Sequence, residues 1–113
     1  MYDLEERTYQ FAKDVAIFIK KIPKTTINIE YSKQVIRSSG SVGANYIEAN
    51  ESLSKKDFNM RMKICRKEAK ETSYWLRLLV DTNDSDHTIV GEKLICESNE
   101  LKKIFSSIIE KSK

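Results

Sequence analysis

Apolar residues recur at alternating steps of four and three in four separate segments of the chain, a spacing that follows one side of an α-helix and cannot follow one side of a β-strand. Leu4, Thr8, Phe11, Val15, Phe18 and Ile22 form the first series, widened by Ala12 and Ile19, and predict a helix over residues 2–22 that Pro23 stops. Tyr31, Val35, Ser39, Val42, Tyr46, Ala49 and Leu53 form the second, over about 28–52, with a start anywhere between Thr25 and Glu30 in the connection KTTINIE. Phe58, Met62, Cys65, Ala69, Thr72, Leu76 and Leu79 form the third, over 55–82. It follows Ser54, Lys55, Lys56 and Asp57, a capping box with Asp standing where Glu or Gln is usual. Val90, Leu94, Leu101, Phe105 and Ile108, with Ile95, Ile104 and Ile109 beside them, form the fourth, over 88–111, after the polar turn NDSDHT.

Three glycines and one proline are too few for the tight turns of a β-sandwich, so the fold class is all-α. A chain of 113 residues suits one domain and one core, because a domain of that size buries roughly 65% of the surface its unfolded chain exposes. No apolar run approaches the roughly 18 residues of a membrane span. The N-terminal MYDLEERTYQ carries acids where a signal peptide needs bases and an apolar stretch, so the expected location is the cytoplasm, away from any membrane. Cys65 and Cys96 are too few and too isolated for a disulfide framework or a zinc site, and the single His87 has no metal-ligating companion at a useful spacing. Cys65 follows the core pattern, whereas Cys96 shares a side with Glu92, Asn99 and Lys103 and belongs near the surface.

The stretch QVIRSSGSVGANYIEAN, residues 34–50, is the least helix-like in composition, yet it keeps the helical period for its whole length. The helix therefore continues through its glycines. Gly40 and Gly43 fall on a side with Ile36 and Ile47, where the missing side chains let a neighbouring backbone approach and offset a propensity penalty of about 1 kcal/mol per glycine. Gln34, Arg37 or Ser38, Ser41, Asn45 and Glu48 form a polar line beside them. Such a line reads first as the solvated side of a monomer; its short, uncharged middle also reads as hydrogen bonding inside a packed contact, since solvated helix faces favour Lys, Glu and Gln.

Residues 34–49, followed by SKKDF and KEAKETSYWLRLL, strongly resemble the bacterial family of proteins encoded within intervening sequences of 23S ribosomal RNA genes. Residues 34–79 carry the motif. The positions that match its pattern are Gln34, Arg37, Ser41, Ala44, Asn45 and Glu48, then Asp57, Phe58, Lys67, Glu68, Ala69, Glu71, Trp75 and Leu76. One departure is Lys67 preceded by Cys65 and Arg66, which adds charge to the middle of the third helix. The resemblance implies an antiparallel, up-down-up-down four-helix bundle that assembles as a homopentamer. It also implies kinship with the accessory proteins of diversity-generating retroelements, basic pentameric barrels associated with nucleic acid and a reverse transcriptase. It attaches no catalytic role to any of these residues.

Charge supplies the independent functional clue. The chain carries a net charge of +3, but Lys55 to Val80 alone hold eight bases against three acids. Lys56, Lys63, Lys67, Lys70, Tyr74 and Arg77 share one stripe, broken by Met60, with Arg66 close by. That is a pattern an RNA or DNA backbone attracts, and repetition around an oligomer strengthens it. Against it stand the i to i+4 pair Lys67–Glu71, the ordinary solubilising role of surface bases and a pI of 8.8, below the value of about 9 that marks a clear nucleic-acid domain. Tyr74 and Trp75 are adjacent and are expected on different sides, Tyr74 among the lysines, where it stacks on an unpaired base or packs on lysine stems or a neighbouring subunit. Trp75 beside Leu76, Leu78 and Leu79 exceeds what a single bundle core needs and points to a subunit interface.

Glu48, Glu51, Glu68 and Glu71 have no histidine to complete a di-iron site, and there is neither a Gly-rich phosphate loop nor a Ser, Cys or His constellation. The expectation is a protein with no enzymatic activity, cofactor or metal. Two functions remain open: a nucleic-acid-binding accessory module that uses Lys56, Lys63, Arg66, Lys67, Lys70 and Arg77, or a scaffold for a partner protein. In either, Arg37, Gly40, Ser41, Gly43, Asn45, Glu48 and Trp75 serve oligomer or helix packing.

Overall fold

The computed structural model describes residues 3–113. Four α-helices, α1 (Leu4–Lys21), α2 (Thr26–Asn50), α3 (Lys55–Thr82) and α4 (Thr88–Lys111), form an all-α four-helix bundle, with a single 3₁₀ turn at Ser85–His87 before α4. No strand occurs among the described residues. The bundle is a rod of 45 × 22 × 19 Å. Packing is closest between α2 and α3 and between α3 and α4, while α1 rests mainly on α2 and touches α4 sparsely.

Local chemistry sets the helix ends. The Asp3 side chain accepts from the Glu6 N–H at 3.1 Å, and Glu5 and Glu6 in the first turn with Lys20 and Lys21 in the last complement the dipole of α1. Thr25 caps α2 by accepting from Asn28 N at 3.1 Å, so this helix begins at Thr26, inside the expected window of Thr25 to Glu30. Ser54 caps α3 through Asp57 N at 3.0 Å, the first half of the expected capping box. Residue 2, the expected start of the first helix, lies outside the described residues.

The core is built from the predicted stripes. Phe11, Val15 and Phe18 of α1, Val35, Val42 and Ala49 of α2, Met62, Cys65, Ala69, Leu76 and Leu79 of α3, and Leu94, Leu101, Phe105 and Ile109 of α4 are buried together. Two members of the expected series do not belong. Leu53 lies beyond the end of α2 and is 98% exposed, because the helix stops at Asn50 and the next residues turn toward α3. Val90 faces solvent; the stripe of α4 runs instead through Gly91 and Ser98, which carry no apolar side chain and so hide it from a hydrophobicity pattern. A Cβ at Gly91 would collide with Val80, so glycine here lets α4 reach α3.

The continuous helix through residues 38–44 is present, but its two glycines have different surroundings. A Cβ at Gly43 would lie 2.9 Å from Thr8 Oγ1 and 3.2 Å from Thr8 Cβ, which places α1 directly against that backbone. Gly40 is exposed with nothing within 4 Å of a Cβ, so its expected packing role is not met inside the chain. Three residues on a helix rotate a position by about 60° from its partner, enough to carry Gly40 off the α1 side. Ile36 and Ile47 are exposed with it.

Buried hydroxyls bridge the helices. Thr72 Oγ1 lies 2.8 Å from both Ser38 Oγ and the Glu68 carbonyl. Ser73 and Ser98 Oγ are 2.6 Å apart, and Ser98 donates to the Ala69 carbonyl at 2.6 Å. Small polar side chains satisfied in this way permit close helix approach without an orphaned group.

Candidate nucleic-acid interface on α3

The outward side of α3 is a single exposed stripe of Lys56, Met60, Lys63, Lys67, Lys70, Tyr74 and Arg77, at steps of four and three. Arg66 flanks it and is half-buried. From Lys56 to Arg77 the stripe extends roughly 30 Å at 1.5 Å per residue. Among the described residues, none of Lys56, Lys63, Arg66, Lys67, Lys70 and Arg77 has a carboxylate within ion-pairing distance. The i to i+4 pairing of Lys67 with Glu71 is not formed, because Glu71 is engaged elsewhere; Lys67 acts on it only as a nearby positive charge.

Glu71 belongs to a network between α2 and α3. Its Oε2 accepts from Arg37 Nη2 and, at 3.0 Å, from the Trp75 indole Nε1. Arg37 Nη1 also stands 3.3 Å from Glu68 Oε1, a buried oxygen with no hydrogen-bond donor of its own among the described residues. Burial pushes the Glu71 carboxyl up, but the hydrogen bonds from Trp75 and Arg37 and the charges of Arg37 and Lys67 outweigh it and hold the group below its ordinary value. The hydrogen bond to Glu71 raises the Arg37 guanidinium, against a smaller opposing effect of burial.

Within the polar line of α2, Arg37, Ser38 and Asn45 bond to α3 of their own chain, while Gln34 is exposed. Asn45 Nδ2 donates to the Ser41 carbonyl at 2.8 Å, its Oδ1 accepts from Arg61 at 3.0 Å, and Ser41 Oγ donates to the Arg37 carbonyl at 2.9 Å. Glu48 departs from that pattern: it is exposed at the end of α2 and makes no side-chain bond to another helix among the described residues. Trp75 is half-buried between two tyrosines, with Tyr31 of α2 at 5.8 Å between ring centroids and Tyr74 at 5.0 Å. Adjacent residues do not share a helix face, yet the Tyr74 ring folds over to meet Trp75 edge-to-face at 78°. Surface expected for a subunit contact at Trp75 is largely covered from within the chain.

Three features escaped the sequence. Arg7 of α1 forms a two-pronged bond with Glu97 of α4, at 2.8 and 2.7 Å, across 90 positions. Asn28 and Asn83 exchange amide hydrogen bonds at 2.8 and 2.9 Å where the α1–α2 and α3–α4 connections meet. Ile29, Ile36 and Ile47 are each 44–49% exposed on the outer side of α2 around Gly40. Only the last carried a signal, the shared side of Ile36, Gly40 and Ile47. Cys65 is buried and Cys96 exposed, as their positions suggest.

Its four helices make the protein a small all-α four-helix bundle. The chain belongs to the family of 23S rRNA-intervening sequence proteins, whose model matches residues 2–107. It is also similar to the crystal structure of a protein of unknown function from the S23 ribosomal protein family of Bacteroides thetaiotaomicron, with 34% identity, a TM-score of 0.81, and coverage of 93% of this chain and 96% of that one. A comparison with curated proteins finds no match. No helix among the described residues is long and apolar enough to cross a membrane.

Proposed function

We propose that this protein is a non-enzymatic, oligomeric bundle of the cytoplasm that binds RNA or DNA through α3, with little sequence preference. The observation that carries the proposal is the exposed row of unpaired bases on α3: cations that a monomer leaves without carboxylate partners are free to replace the counterions of a phosphate backbone. The contact between copies lies on the outer stripe of α2, where Ile29, Ile36, Gly40 and Ile47 leave apolar surface open beside a bare backbone. The homopentamer that the family resemblance implies repeats the basic row around the assembly, and kinship with retroelement accessory proteins adds a reverse transcriptase to the partners.

Fluorescence anisotropy with a labelled structured RNA tests the binding. Replacing Lys63, Lys67 and Lys70 by Glu is expected to abolish it while native mass stays unchanged. The same open α2 stripe favours the second function, a scaffold that holds a partner protein while its charges are merely solvated; unchanged affinity in the triple variant supports that alternative.

A further inference from the structure

We propose that Tyr74 is a stacking platform for an unpaired base, so that the ligand of the α3 ridge is single-stranded nucleic acid rather than a duplex. The inference rests on the nucleic-acid function proposed above and specifies its ligand.

Tyr74 is 56% exposed near the C-terminal end of the basic row, one turn from Lys70 on one side and from Arg77 on the other. Its hydroxyl makes no hydrogen bond among the described residues, and more than half of the side chain is open to a ligand. The ring is nevertheless held. It meets Trp75 edge-to-face at 5.0 Å; Trp75 leans on Tyr31 and donates its indole N–H to Glu71, which Arg37 fixes from α2. A ring braced by a neighbour that is itself fixed to α2 loses less freedom when a ligand lands on it, which favours binding. Flanking cations draw the phosphates on either side of a strand while the ring takes the base between them. A duplex offers phosphates but keeps its base faces stacked inside, so it gains nothing from the tyrosine.

The test uses the full chain, a labelled 20-nucleotide oligouridylate, an abasic strand of the same length and charge, and a duplex RNA of matched length. The wild type is expected to bind oligouridylate at least about fivefold tighter than the abasic strand, with Tyr74→Ala erasing that difference and Tyr74→Phe keeping it. Binding to the duplex is expected to be the same in all three proteins. Trp75 is the single tryptophan, and its emission is expected to change with oligouridylate and not with the abasic strand. Tyr74→Ala that binds oligouridylate as the wild type does overturns the stacking site. If the Lys63, Lys67 and Lys70 variant has meanwhile lost all binding, the electrostatic interface stands without it; if the wild type binds none of the three probes, both proposals fail.

Discussion

Arg37 and Glu71 are ion-paired across the α2–α3 seam, and the pair also anchors Trp75 and stands beside the buried Glu68. The first prediction concerns this contact. Arg37→Ala removes one of the two donors of the Glu71 carboxylate and the charge partner of Glu68, and is expected to cost about 1–3 kcal/mol in chemical denaturation, toward the lower end because Arg37 is half exposed. Glu71 is held below its ordinary value, so its contribution is complete above the unfolded-state value of about 4.3 and is lost as pH falls through and below it. Wild-type stability should therefore fall on acidification through that range, and Arg37→Ala should flatten the fall. Parallel pH curves for the two proteins would contradict the network.

Gly43 and Gly91 are the tight glycines. Gly43→Leu is expected to cost about 1–3 kcal/mol by driving α1 away at Thr8, and Gly91→Ala to cost a similar amount against Val80. Thermal melts read both directly, and wild-type melting in either variant refutes the close approach at that position.

The two thiols should behave oppositely. Burial pushes the Cys65 thiol up to about 12, so at pH 8 it stays neutral and covered, while Cys96 is exposed. A disulfide reagent should therefore react with one thiol in the native protein and with the second only on unfolding, and Cys96→Ser should remove the native reaction.

For assembly, Ile36→Glu with Ile47→Glu should reduce the native mass without lowering helix content, because both side chains are open in the isolated chain. A wild type that is monomeric at micromolar concentration, or a variant of unchanged mass, rules out the α2 stripe as the contact.

Much of the fold was legible because burial repeats with the helical period. The series through Phe11, Val35, Leu76 and Phe105 marks the buried side of each helix, and Pro23 and Ser54 mark helix boundaries. The basic ridge was legible for the same reason: Lys56, Lys63, Lys70 and Arg77 are seven apart and so share one side of any helix. Partners across the bundle were not. Nothing local relates Arg7 to Glu97 or Asn28 to Asn83, and neither pair is set by the period within one helix. Gly40 and Glu48 were assigned to packing from their types, but type does not say which of two adjacent helix sides another helix occupies. Tyr74 and Trp75 show the converse limit: backbone directions diverge, while long side chains bend back into contact.

The measurement that tests the central claim most directly is the affinity of the full chain for labelled oligouridylate as a function of salt. The wild type is expected to show log K falling linearly with log salt concentration, and replacing Lys63, Lys67 and Lys70 by Gln is expected to reduce the slope by about 2, at roughly 0.7 per phosphate contact on a single strand. Absent binding, or binding indifferent to salt, contradicts a phosphate-binding role for α3.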